Sequence, residues 1–286
     1  MDYRHQCHVG DHGDALKHPV LALLIQLLSQ KHTKLNIIDT HAGTGCYDLN
    51  TAPSSHAAEF SEGVGYLWKN KDQLPASFHS FTTTLSAFNP SDELRLYPGS
   101  AAIGFQQGRS EDSFYFADIQ KQEAELLQTN IEQIRSDLHI KSDLNIFTGD
   151  GLKNLVSAVS NHHDHNLIVI DPPYEKDDEY SDVIEALIAA WEHTKNVSAL
   201  IWYPLYTEDK STLILQRCSD AVNNNQLPKP IKAELRLRDA KEDDRLIGSG
   251  LLLFNPPAAL KASVIEIVDY LHQNLATENE GYWQVK

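Results

Sequence analysis

The chain has 286 residues, an apolar content typical of soluble globular proteins and a formal net charge of −16. An acidic surface repels phosphate, which excludes a general nucleic-acid binder; such a partner would have to meet a local basic patch. The longest apolar run near the N-terminus, residues 20–28, is too short to cross a bilayer, and no secretory signal follows Met1. Three scattered cysteines (Cys7, Cys46, Cys218) form no C-x-x-C pair and fit a reducing, cytoplasmic setting without a membrane.

Lys17 and His18 precede that apolar run in a helical pattern. Buried strands are predicted at 35–39, 113–118, 144–150, 167–171, 198–203, 231–237 and 250–255. Helices are predicted at 120–136, 152–159, 180–193, 207–221 and 258–271. Strand and helix alternating in this way mean a parallel sheet with right-handed crossovers. The last two strands follow each other without a helix, which predicts an antiparallel edge. Residues 46–94 break the rhythm with aromatics among polar residues, more chain than a crossover needs. The expectation is one Rossmann-like α/β domain over residues 1–286, with a seven-stranded sheet and a strand-free helical insertion at 46–94.

Ligands of such sheets sit beyond the C-terminal strand ends. Four predicted strands end there on acids: Asp39, Asp118, Asp150 and Asp171. The first continues as DTHAGTG, where Gly43 and Gly45 let the backbone turn tightly against a ligand. The third glycine of a dinucleotide fingerprint is absent. The short form suits a nucleoside on an uncharged linker, such as S-adenosylmethionine, better than a pyrophosphate. Asp118 stands where a ribose diol would be gripped, and Asp150 where an adenine amino group would be. Each also suits the ordinary task of starting a helix.

Asp171-Pro172-Pro173-Tyr174 is the sharpest motif. An exocyclic amine on a base is a poor nucleophile because its lone pair is delocalised into the ring. The Asp171 carboxylate accepting one N–H, and the Pro172 carbonyl accepting the other, would localise that pair toward a methyl donor. Prolines hold the acceptors rigidly and bring no competing donor. Tyr174 offers a face on which a flipped base would stack. Asn255-Pro256-Pro257-Ala258 lacks the aromatic and reads as a structural stop.

The N-terminal block YRHQCHVGDHGDALKH, then DTHAGTG, YPGS, ADIQ, GDG, IDPPYE, WYP and the closing GSGLLLFNPP, follow one another in an order that resembles the bacterial 23S ribosomal RNA adenine-N6 methyltransferases of the RlmJ type. The resemblance covers nearly the whole chain and implies a class I methyltransferase fold. It implies that His18, His41, Ser100, Asp118, Asp150, Gly151 and Asp171 contact S-adenosylmethionine or line its pocket. Asp171 would also accept the adenine amine, Lys17 would lie near the active site, and Tyr3 would touch RNA beside Arg4. Asp118 stands where the family has glutamate. The implied substrate is protein-free 23S RNA or an early assembly intermediate, bound by a monomer without a metal. A second basic cluster includes Lys229, Lys232, Arg236, Arg238, Lys241 and Arg245, diluted by acids.

Three other readings remain. A metal-dependent hydrolase would use His5, His8, His12 and His18 with Asp11 and Asp14, or His162, His163 and His165, but would leave the diproline unexplained. A non-catalytic binding module would have no use for an intact 171–174 motif. The same chemistry on DNA adenine, another RNA or a protein amide is separable only through the N-terminal block and the insertion.

Overall fold

The computed structural model describes residues 9–51, 57–91, 93–206, 210–239, 246–278 and 280–286. Tyr3, Arg4, Lys241 and Arg245 therefore lie outside the described residues. The chain runs α1 (His12–Lys31), β1 (Leu35–Asp39), β2 (Cys46–Asp48), α2 (Ala57–Ser61), α3 (Val64–Lys69), α4 (His79–Phe88), β3 (Leu96–Pro98) and α5 (Ser100–Gln107). It continues through β4 (Ser113–Asp118), α6 (Lys121–Leu138), β5 (Asp143–Thr148), α7 (Leu155–Ala158), β6 (His165–Ile170), α8 (Glu179–His193) and β7 (Val197–Tyr206). The last elements are α9 (Ser211–Asn223), β8 (Ile231–Arg236), β9 (Leu246–Phe254), α10 (Leu260–Leu275) and β10 (Tyr282–Val285).

Successive strand residues point to opposite faces, and here both faces are covered. Ile37, Leu167, Val169, Leu200, Leu251 and Leu253 enter one core, shared with α1, α4, α5, α6 and α10. Their neighbours Ile38, Ile168, Ile170, Ala199, Ile201, Leu252 and Phe254 enter the other, shared with α7, α8 and α9. Helix α8 meets its core through Tyr180, Val183, Ile184, Leu187 and Ile188, the i, i+3, i+4, i+7, i+8 stripe of an amphipathic helix.

The main sheet has the order β10-β8-β9-β7-β6-β1-β4-β5. β5, β4, β1, β6 and β7 are parallel, while β9 pairs antiparallel with both β7 and β8. This is the expected Rossmann-like architecture with an antiparallel edge. The order reverses at β1, so the gap between the C-terminal ends of β1 and β6 is the switch point where such sheets bind ligands.

Two expectations are corrected. The sheet has eight strands, because β10 adds antiparallel to β8. Its turn depends on Gly281, at φ +74, where a Cβ would lie 2.2 Å from the Arg236 carbonyl oxygen. Residues 46–94 are also not free of strand: β2 pairs with β3, closing the insertion with a two-stranded ribbon. Three residues cannot display an alternation, and the partner lies some fifty residues on. Among the described residues, no helix is long and apolar enough to cross a membrane.

Candidate active site

A cleft of about 360 Å³ opens at the switch point, within the general range of small-molecule sites, about 300–1,000 Å³. His41, Gly43, Asp118, Asp150, Gly151, Asp171, Pro172 and Pro173 line it. Among its lining residues seven carboxylates face two lysines, Lys153 and Lys176. This field opposes a pyrophosphate and favours a cation.

The glycine loop is shaped from within. Gly43 sits at φ +55, and a Cβ there would meet the Tyr47 hydroxyl at 2.3 Å. Its N–H donates to Asp118 Oδ2 at 3.1 Å, while the Gln120 N–H donates to Oδ1 at 2.7 Å. Two backbone donors thus orient the Asp118 carboxylate. Asp150 accepts from the Lys153 N–H at 3.1 Å and pairs with its ammonium at 2.8 Å. Burial would raise the Asp150 pKa, but the Lys153 bonds outweigh it and leave the carboxyl below its ordinary value. Burial pushes the His41 pKa down to about 4, so its imidazole is neutral at physiological pH.

Gly151 brings the backbones on either side of the cleft together. A Cβ there would lie 2.3 Å from the Thr40 carbonyl oxygen and 2.8 Å from its Cα. Backbone cannot swing aside as a side chain does, and overpacking costs about 1–3 kcal/mol. Gly151→Ala should therefore weaken cleft binding by about tenfold or more at unchanged fold. Titration calorimetry with S-adenosylmethionine checks this, and an unchanged affinity would separate Gly151 from the binding wall.

Asp171 follows β6 directly. Its Oδ2 accepts from the Lys17 ammonium, which also pairs with Asp14 Oδ1 at 3.0 Å. Lys17 and Asp14 are buried to 3% and 2% exposure, on a helix start enclosed on every side. Burial alone would lower the Lys17 pKa, but the Asp171 and Asp14 carboxylates outweigh it and raise it. The lysine is therefore charged whenever the protein is folded near neutral pH.

Three expected residues do not stand in the open. His18 is fully buried behind the cleft, hydrogen-bonded through Nδ1 with the Tyr97 hydroxyl and 3.6 Å from Asp14. Ser100, at the start of α5, bonds Asp39 rather than lining the cleft. Tyr174 is the clearest correction: the residue is 6% exposed and offers no open stacking face. At φ +50 the chain turns sharply after the rigid diproline and drives the ring inward. The ring packs 4.4 Å from Tyr180, and its hydroxyl donates to the Trp202 carbonyl at 2.7 Å. Tyr174 therefore anchors the diproline turn.

Two acids named in the sequence have a place in the structure that their naming did not convey. Asp14 shares a helical face with Lys17 and His18, three and four positions on, so the D-x-x-K-H spacing carried its signal. Asp39 is buried to 1% exposure, and burial pushes its pKa up to about 6 despite bonds from Ser100 and the His41 N–H. A carboxyl whose folded pKa exceeds its unfolded value favours folding at low pH and loses that contribution as pH rises through about 6. The shift corresponds to about 3 kcal/mol. Asp39→Asn should thus gain stability over the parent between pH 4.5 and 7.5, read from urea midpoints. An equal difference at both pH values would refute buried charge as the cause.

Among the described residues no group of three or more His, Cys, Asp or Glu is placed to hold a metal ion. His163 and His165 lie at the N-terminal edge of the sheet, bonded to Ser113 and Ser198, away from the cleft.

The family model described as RsmJ, Ribosomal RNA large subunit methyltransferase D, RlmJ, matches residues 32–286. The chain is 29% identical to Ribosomal RNA large subunit methyltransferase J of Haemophilus influenzae, over 100% of this chain and 98% of the relative. It is 28% identical to the Escherichia coli protein of that name, over 99% of this chain and 96% of the relative. A crystal structure of a Legionella pneumophila protein superposes with a TM-score of 0.85 at 24% identity, covering 98% of each chain.

Proposed function

Because the chain belongs to the RlmJ family of ribosomal RNA large subunit methyltransferases, we propose that it transfers a methyl group from S-adenosylmethionine to N6 of one adenine in 23S ribosomal RNA. The observation that carries this reading is Asp171, set at the β6 end in an acid-lined cleft with one oxygen held by Lys17.

The residues present fit the donor. When bound it supplies an electrophilic methyl on a cationic sulfonium, which an excess of carboxylates attracts. A neutral His41 adds no opposing charge. The Asp118 carboxylate, aimed by the Gly43 and Gln120 amides, is suited to a ribose diol. Asp150 is suited to an amino group.

At the acceptor, Asp171 takes one N–H of the adenine amine and the Pro172 carbonyl the other. The lone pair then points out of the base plane toward the methyl carbon. The bound donor would supply that methyl to N6 and keep the electron pair of its broken carbon–sulfur bond. Asp171 takes the proton that N6 sheds. Positioning provides most of the acceleration, and no covalent enzyme intermediate is required. With Tyr174 turned inward, the target base needs another surface to stack on.

We assign the substrate to unpaired RNA, since sequence-specific RNA readers act on splayed bases. The remaining features of the reading are a monomer working in the cytoplasm, an insertion at 46–94 that acts as a subdomain, and RNA contacts from Tyr3 and Arg4. The test is transfer of labelled methyl from S-adenosylmethionine to protein-free 23S RNA from cells lacking this gene, followed by nucleoside analysis. One N6-methyladenosine per RNA is expected. Methyl appearing on DNA, on another RNA or on protein instead would overturn the substrate assignment.

A further inference from the structure

Lys17 has two anionic partners, and only Asp171 belongs to the cleft. Asp14, one helical turn earlier, presents Oδ1 to the Lys17 ammonium at 3.0 Å and receives the Gly10 N–H on Oδ2 at 2.8 Å. His18 stands 3.6 Å from the same Oδ1. The carboxylate is held between the loop that enters α1 and the helix itself, shielded from water at 2% exposure.

A cost accompanies this arrangement. A second buried carboxylate joins Asp171 at the lysine, with Asp39 close by. Folding alone is better served by a one-to-one pair, since desolvating each additional ion costs several kcal/mol. The expense is explained by what the lysine must not do. An ammonium has three N–H donors and rotates freely about its stem. Paired with Asp171 alone, it can bridge both carboxylate oxygens. Drawn toward Asp14 at 3.0 Å, the ammonium sits beside Oδ2, and among the described residues no hydrogen bond reaches Oδ1.

Building on the methyl-transfer reading above, we infer that Asp14 is a positioning residue: it fixes Lys17 on one oxygen of Asp171 so that the other is available to the substrate amine. It touches neither substrate nor donor and acts through Lys17.

The test is Asp14→Asn in the full chain. The amide oxygen still accepts the Gly10 N–H, and Lys17 remains balanced by Asp171, so the fold is expected to hold. Single-turnover methyl transfer to 23S RNA should fall at least tenfold. KM for RNA, affinity for S-adenosylmethionine and the melting temperature should stay close to the parent's. A purely structural Asp14 would move the melting temperature or KM and leave kcat within twofold, which overturns the inference. Asp14→Ser, smaller and still oxygen-bearing, is judged by the same readouts, and unfolding of both variants would assign Asp14 to stability and equally overturn it. Failure of the parent enzyme to methylate 23S RNA sinks the functional reading instead, so the two failures are distinguishable.

Discussion

Asp171→Ala should abolish methyl transfer while leaving a folded, donor-binding protein. Removing one aligned hydrogen-bonding group from a catalytic site typically costs about 10²–10³ in kcat. Here the lost acceptor would also be the proton acceptor, so a loss at or beyond the upper figure is expected. The fold should survive because Lys17 is not stranded: Asp14 still pairs with it at 3.0 Å. The Gly43, Asp118 and Gly151 part of the cleft makes no hydrogen bond to Asp171. Affinity for S-adenosylmethionine should therefore change by only a few-fold. Asp171→Asn should be nearly as inactive, since an amide keeps a single acceptor oxygen, and with Lys17 on that oxygen its NH2 faces the substrate amine. Single-turnover methylation and calorimetric donor binding, measured on the same preparation, decide the matter. Substantial residual transfer would remove Asp171 from the chemistry; loss of the melting transition would make it structural.

How far such a site can be read from sequence depends on whether its geometry is local. β1 and β4 occupy the residues that the apolar pattern predicts, because strands buried on both faces leave largely apolar runs ending at an acid. The cleft residues on those strand ends followed, since the fold class fixes which edge binds ligand. β2, β3 and β10 were illegible: each has three or four residues and a partner far along the chain. Tyr174 shows a subtler limit. The motif names the residue, but the direction of its ring depends on a positive φ and on Tyr180, six residues on. His18 and Ser100 were named by resemblance, yet depth behind a surface is a tertiary property that no spacing conveys. Asp14 was legible in principle. Its spacing to Lys17 predicts a shared helical face, and what stayed hidden was that this face would be enclosed rather than solvated.

That enclosure makes Lys17→Met the variant with the largest expected effect on stability. Methionine fills a similar volume, so packing is largely conserved and the change is mainly one of charge. Asp14 is left at 2% exposure without its ammonium, beside Asp171 and near Asp39. Removing one partner of a buried ion pair typically costs about 3–5 kcal/mol, because the surviving charge stays desolvated. The pH dependence has a definite sign. In the parent the Lys17 pKa is raised above its unfolded value, so its contribution is complete below about 10.5 and is lost only as pH rises through the folded value. Between pH 5 and 9 the parent should show no titration from this group. Lys17→Arg provides the complementary measurement. It restores charge, and with it part of the stability, but a planar guanidinium cannot reproduce an ammonium divided between Asp14 and one oxygen of Asp171. Methyl transfer should therefore stay impaired when urea midpoints have partly recovered. Recovery of both together would show that charge alone, not the aim of Lys17, is what the site requires.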